Sequence, residues 1–447
     1  MNTISRSTTL LHWFFSGISW LAAIGLLLSV NQHSFASDIN LVKLGNFESF
    51  SSPWGTGQYS KNGLWWNSKN ANTRATSVTG IRTPFSRISS ALRIENHSAA
   101  GPHIYGNTSQ RIAAKSGTNY RVSFWAKTKN LKSNGGISIA YDSSWRVRPI
   151  SLPAGTKGWT YYAGTFNTGR ANYIDLRIIS QDIGTVWITA LQIHEVKKGI
   201  AHIQYSHPVN QATVHAFVFD PSQFVIYKSS PRSAAKSYTD VSSRIGADVL
   251  VNGTFIGGLP SQAFGDFRLN GVYNGYAGAA TQGPKNLIEM LNNRYHFYVT
   301  KNSAGKYGAG ISGGRVSSSA RSGKKWAIGG LGALLKNGAV VPFERSGSRH
   351  LYKNINGRAA IARSAIGVTR DNKIILLTVG KGANRRLGVS IANLGKEMLW
   401  LGAKDAASLD GGSASLAYYK YVTPSLVAAP VNGYLVNKSF VGAQPRP

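Results

Sequence analysis

Ser390–Leu401 reads SIANLGKEMLWL, and after a short connection Ala406–Ser415 reads AASLDGGSAS. In the first stretch Ile391, Leu394, Met398 and Leu401 recur at helical spacing, with Ser390 placed as an N-cap and Gly402 as a stop. In the second, Ala407 and Leu409 form a short apolar run that delivers one carboxylate, Asp410, into Gly411-Gly412 and then Ser413 and Ser415. A helix followed by a buried strand ending in Asp-Gly-Gly predicts an α+β domain that presents one acid at a strand edge. Glycine permits positive φ and lets backbone N–H groups approach a ligand closely, and the two hydroxyls can donate to an anion at the same spot. Asp-Gly and Gly-Gly are also ordinary turn chemistry, so the ten residues alone describe a hairpin equally well.

Two further stretches lift the acid above a turn. Asp248-Val249-Leu250-Val251 reads as a short buried strand whose end presents Asn252-Gly253-Thr254-Phe255. Arg363-Ser364-Ala365-Ile366-Gly367 opens a strand that returns through Arg370–Lys373 into Ile374–Val379. With Leu409-Asp410-Gly411-Gly412-Ser413, these three motifs fall in the order in which they recur in the phosphodiester glycosidases, and residues 199–447 resemble that family. The resemblance implies hydrolysis of a sugar-1-phosphodiester, with Asp410 as base or nucleophile. It implies that Arg363 and the amides after Gly411 hold the phosphate while Asn252 orients the sugar. Gly253, Gly411, Gly412, Ser413 and Ser415 would contact substrate. Gly265–Gly271 looks like the family's segment between the Asn-Gly and Arg motifs, and Asp266 and Arg268 would line the site. A single essential acid is chemically reasonable, because a phosphate monoester leaves far more readily than the alcohol of an ordinary glycoside.

Residues 37–198 read differently. Tyr120–Ala126, Gly136–Tyr141, Trp159–Tyr162, Tyr173–Ile179 and Val186–Thr189 are short alternating runs separated by Gly, Asn and Ser turns, with no helix between them. Strands at this spacing predict an all-β sandwich. Gly45-Asn46-Phe47-Glu48, Gly117–Trp125 and Trp159 followed by Gly164-Thr165-Phe166 resemble jelly-roll carbohydrate-binding modules. Trp54, Trp65, Trp66, Tyr105 and Trp145 sit among polar neighbours and are the candidates to stack on sugar rings; packing in the core is the competing place for each. The resemblance also implies a structural calcium with Glu48 as ligand, but Trp187–Val196 lacks the aspartate such modules supply from their closing strand. No other cofactor is implied.

The chain has 447 residues, 50 basic and 17 acidic, for a formal net charge of +33, and no cysteine. Disulfides and thiolate metal sites are therefore excluded. Arg6, the apolar run Leu10–Val30 and Ser34-Phe35-Ala36 have the pattern of a cleaved secretory signal over residues 1–36, with an uncleaved anchor as the competing reading; cleavage would leave no membrane span in the mature protein, which is expected to be secreted or held in the cell envelope. A basic field favours polyanions. With an export signal and scattered basic residues, the expected partner is an anionic glycan or glycosyl-phosphate polymer, not nucleic acid. The ten histidines show no metal-ligand spacing, His202 and His207 being an isolated pair. The competing reading is a non-enzymatic basic adhesin or matrix protein that binds acidic glycans. A third is a hydrolase of phosphate-free polysaccharide on the same scaffold.

Overall fold

Tyr173–Ser180 shows how these sequences make sheet. Its inward residues Ile174, Leu176 and Ile178 are buried, and they stand opposite Ile112, Gln110 and Thr108 of the antiparallel strand Gly106–Ala113. Its outward residues pair Asp175 with Arg111 and Arg177 with Ser109. Period-two alternation thus gives one face to a core and the other to polar chemistry. Six strands assemble this way, in the order Gln58–Tyr59, Trp66–Asn67, Gly106–Ala113, Tyr173–Ser180, Gly135–Ala140 and Val147–Leu152. Facing them, Thr73–Val78, Ala91–Asn96, Gly184–Lys197, Asn119–Leu131 and Gly155–Asn167 form the second layer. Phe47, Trp65, Leu92, Phe124, Ile139 and Leu176 fill the space between. This is the computed structural model of the chain. It describes residues 40–446 except 49–57, 60–63, 68–72, 86–87, 99–105, 133–134, 141–146, 181, 230–236, 255, 258–261, 264, 275–293, 317–322, 343–356, 381–386, 423–425 and 429–438. The signal segment, Trp54, Tyr105 and Trp145 lie outside the described residues.

The stretch Lys197-Lys198-Gly199, where the second domain was expected to begin, is not a linker. Lys198 and Gly199 have φ of 51° and 81°, and Lys197 pairs directly with Ile200 across them. Two central residues at positive φ make the tight hairpin whose twist suits antiparallel strands. The sandwich layer therefore runs on without a break through Ile200–Ser206, Thr213–Phe219, Ile374–Val379, Arg363–Thr369, Ala403–Gly411 and Lys324–Lys336. Asp38–Pro447 forms one compact unit.

A five-stranded sheet, ordered Phe224–Lys228, Ser439–Ala443, Val249–Asn252, Ala417–Tyr419 and Leu426–Ala428, covers one face of this continuation. Phe217, Phe219, Val249, Val251, Ile366 and Leu376 make the core between them. The helix Ile391–Trp400 covers the other face, burying Leu394 and Met398 against Ala365, Leu377 and Leu334. It starts where expected: Ser390 Oγ accepts from Asn393 N–H at 3.2 Å. At its far end Gly402 has φ +90°, and a Cβ there would fall 2.2 Å from the Tyr161 ring of the sandwich. A second helix, Tyr238–Ile245, packs Val241 with Leu250 and Phe440 on the outside of the five-stranded sheet. The sheets thus bring the end of Ala403–Gly411 beside the end of Val249–Asn252. Among the described residues no helix is long and apolar enough to cross a membrane.

Candidate active site

Asp410 is the next-to-last residue of its strand and is only partly buried, whereas Leu409 before it lies in the core. Its peptide is held from both sides. Its N–H donates to Gly253 O at 2.9 Å, and its carbonyl accepts from Asn252 Nδ2 at 2.8 Å. The Asn252 Oδ1 in turn accepts from Ser364 Oγ at 2.6 Å and from Leu416 N–H at 3.0 Å. Asn252 is 4% exposed. These bonds correct the expectation that Asn252 orients a sugar: its amide ties three segments together and fixes the backbone that carries the acid. Gly253 is packed against the strand beside it. Its N–H donates to Ser439 O at 2.7 Å, and a Cβ on it would fall 2.3 Å from Ser439 Oγ, so this position has no room for a side chain.

The glycines after the acid are also engaged within the protein. Gly411 N–H donates to Asp410 Oδ1 at 2.8 Å. Gly412, at φ +62°, donates to Ala362 O at 2.6 Å. The expected cradle of amides for a phosphate is therefore not formed by these two; Gly411 steadies the carboxylate, and Gly412 closes the strand end. Ser415 is fully buried, and its Oγ has no hydrogen-bond partner among the described residues. The Ser413 side chain lies outside what the structure describes.

Arg363 stands opposite Gly411 in the neighbouring strand. Its side chain is buried, with Nε donating to Val389 O at 2.7 Å and Nη2 to Ala359 O at 3.1 Å. The edge of the guanidinium expected to grip a phosphate in two prongs is thus turned onto main-chain carbonyls. Asp410, Arg363, Gly411 and Gly412 line one cavity of about 100 Å³, walled by Ile361, Ile391, Leu394 and Leu409 with Ser408. Apolar walls lower the local dielectric, which strengthens the field of a fixed cation and of a carboxylate. An acid and an arginine on one small cavity can steer a water or a sugar carbon toward a carboxylate while offsetting charge on a departing anion.

Other expected residues lie elsewhere. Asp266 is buried and makes a two-pronged pair with Arg315, at 2.7 and 3.1 Å. Arg268 is buried and donates to Gly271 O at 2.6 Å. Neither lines the cavity at Asp410; they build the hairpin that attaches to Lys324–Lys336. Trp65 is fully buried, 5.2 Å from the Phe47 ring, with its indole N–H on Lys43 O. A ring enclosed in the core offers no face to a sugar. Trp66 is partly exposed on the outer side of the six-stranded sheet. Glu48 is exposed, and among the described residues no three His, Asp or Glu side chains gather as a metal site.

Sequence reasoning missed Ser364 and the carbonyls of Ala359 and Val389. Ser364 was readable as an anomaly: every residue of Arg363–Thr369 is buried, so a hydroxyl there needs a partner. The asparagine that supplies the partner is 112 positions away, beyond any local pattern.

With that geometry in hand, comparison with known proteins bears on the C-terminal part. Residues 246–446 match the phosphodiester glycosidase family model. The matched span contains the Asn252-Gly253 clamp, Arg363 and Asp410. Among solved structures, the catalytic domain of zebrafish N-acetylglucosamine-1-phosphodiester alpha-N-acetylglucosaminidase, auto-inhibited by its pro-peptide, is similar at 15% identity, covering 55% of this chain and 82% of that one with a TM-score of 0.40. A hypothetical protein from Synechocystis is 13% identical over 89% of this chain and 84% of its own, with a TM-score of 0.37. The CBM22-1 xylan-binding domain of Paenibacillus barcinonensis Xyn10C is 12% identical over 34% of this chain and 94% of its own, with a TM-score of 0.23. No curated protein matches the chain.

Proposed function

We propose that this chain is an exported hydrolase that cleaves sugar-1-phosphodiesters at the glycosidic bond, releasing free sugar and a phosphomonoester. The observation that carries the reading is Asp410 and Arg363 on one cavity, inside the span that matches the phosphodiester glycosidase family. In the reaction the bond from the anomeric carbon to the phosphate oxygen breaks, its electron pair leaves with the phosphate, and water supplies the hydroxyl to carbon. Asp410 acts as the base that takes the proton of that water, or as the nucleophile whose glycosyl ester water then opens. The Arg363 charge favours the departing phosphate through the field in the cavity. A cavity of about 100 Å³ takes the reacting centre, and the rest of the substrate lies across its mouth. Asn252 and Gly253 act one step removed, as positioning residues for the acid. The N-terminal apolar run and Ser34-Phe35-Ala36 support export, and the sandwich serves to hold glycan near the hydrolase. The test is release of free sugar from a glycosyl phosphodiester by wild type and by Asp410→Asn, with the melting temperature of each. Near-normal release by a well-folded Asp410→Asn protein overturns the reading.

A further inference from the structure

A groove of about 1400 Å³ lies on a different part of the molecule from Asp410 and shares none of that cavity's lining. One wall is the outer face of the six-stranded sheet, where Trp66, Ser109 and Arg177 stand in one cross-strand row and Arg111 and Asp175 in the next. The other wall comes from the far end of the chain, with Tyr419 and Tyr421. Its volume exceeds the roughly 300–1,000 Å³ usual for small-molecule sites, so an oligomer suits it better than a monosaccharide.

The charge of the lining is uneven. Five basic residues, Lys43, Arg111, Lys115, Arg177 and Lys197, line it against two acidic ones, Asp175 and Glu195. Arg111 grips Asp175 at 2.8 and 3.0 Å, and Lys115 reaches Glu195 at 2.6 Å. Lys43 and Lys197 are exposed and have no acid partner among the described residues; Lys197 Nζ lies 4.6 Å from the centre of the Tyr421 ring. The groove therefore carries excess positive charge beside aromatic surface.

We propose that this groove binds an acidic oligosaccharide. Lysines with no acid partner suit its carboxylate or phosphate groups, and the partly exposed ring of Trp66 suits the flat C–H face of a sugar. Asp175 and Glu195 decide between polyanions. Arg177 also lies 3.8 Å from Asp175, but an ionised carboxylate has about four acceptor sites, so Asp175 and Glu195 can each receive sugar hydroxyls while held by their cations. A nucleic acid strand brings a phosphate at every step and few hydroxyls, and two inward carboxylates oppose it.

The assignment does not depend on the hydrolase reading, because it is tested by binding without turnover. Hexagalacturonate, cellohexaose and single-stranded oligo(dT) are titrated calorimetrically into the full chain, its Lys43→Glu/Lys197→Glu double variant and Trp66→Ala. Both lysines are exposed, so the double variant is expected to fold, and its melting temperature checks this. Hexagalacturonate should bind more tightly than cellohexaose, and the double variant should weaken it about tenfold or more, with the remaining affinity less sensitive to salt. Trp66→Ala should weaken both sugars. Equal binding of the acidic and neutral hexamers, an unchanged affinity in a folded double variant, no binding of either sugar, or tighter binding of oligo(dT) lost in the same variant would each overturn the proposal.

Discussion

Asn at position 410 keeps an oxygen for the Gly411 amide and leaves both peptide clamps in place, so only the charge is lost. Turnover of a glycosyl phosphodiester by Asp410→Asn should fall by roughly 10²–10⁴-fold with little change in melting temperature. Asn252→Ala removes partners from Asp410 O, Ser364 Oγ and Leu416 N–H together. It should cost about 2–4 kcal/mol in denaturant unfolding and lower turnover as the acid loses its seat. Arg363→Lys keeps a cation but cannot reproduce the planar contact with two carbonyls, so about 2 kcal/mol of stability should go with it. A variant of unchanged stability would mean those carbonyl bonds matter little. The strand end that carries Asp410 was legible, because Leu-Asp-Gly-Gly is a local signal. The roles of its neighbours were not: Asn252 and Asp410 meet across 158 positions, and nothing in Asn-Gly says whether its amide faces a ligand or another strand.

At the scale of elements, the helix Ile391–Trp400 was readable from end to end, since cap, apolar period and stop all lie within its own residues. Ser390→Ala should lower stability by about 1 kcal/mol, read as a shift of the unfolding midpoint at constant slope. Strand runs such as Tyr173–Ile179 were equally legible from alternation. The faces they present were harder. Trp65 and Trp66 are neighbours with the same side chain, yet one is sealed against Phe47 and the other lies on the outer sheet face. Alternation says that they differ and not which one faces inward; the sheet opposite decides that. Lys197-Lys198-Gly199 misled for a related reason, as a charged glycine stretch has the composition of a linker and the geometry of a hairpin.

Across the whole molecule, two buried histidines couple folding to acidity. Burial, and then the charges of His202 and Arg121, push His194 down to about 3, and burial pushes His202 down to about 4. Both start from an ordinary value of 6.5, so below it the unfolded chain takes up protons that the folded one refuses. The contribution of these two groups is therefore fully present above about pH 6.5 and is expected to be lost toward pH 4, each on the order of a few kcal/mol. Melting temperatures between pH 7 and pH 4 check this, and His202→Gln should flatten part of the slope. The hairpin at Lys198–Gly199 bears on a different question, how the chain withstands proteases. Cutting that peptide bond would separate little: Trp125 Nε1 still donates to Trp400 O at 3.3 Å, and Phe85 meets the Trp400 ring edge-on at 4.8 Å. Tyr161 still covers Gly402. The two fragments would travel together as a nicked whole, and separating them would strip one edge of the shared sheet bare and leave it ready to clump.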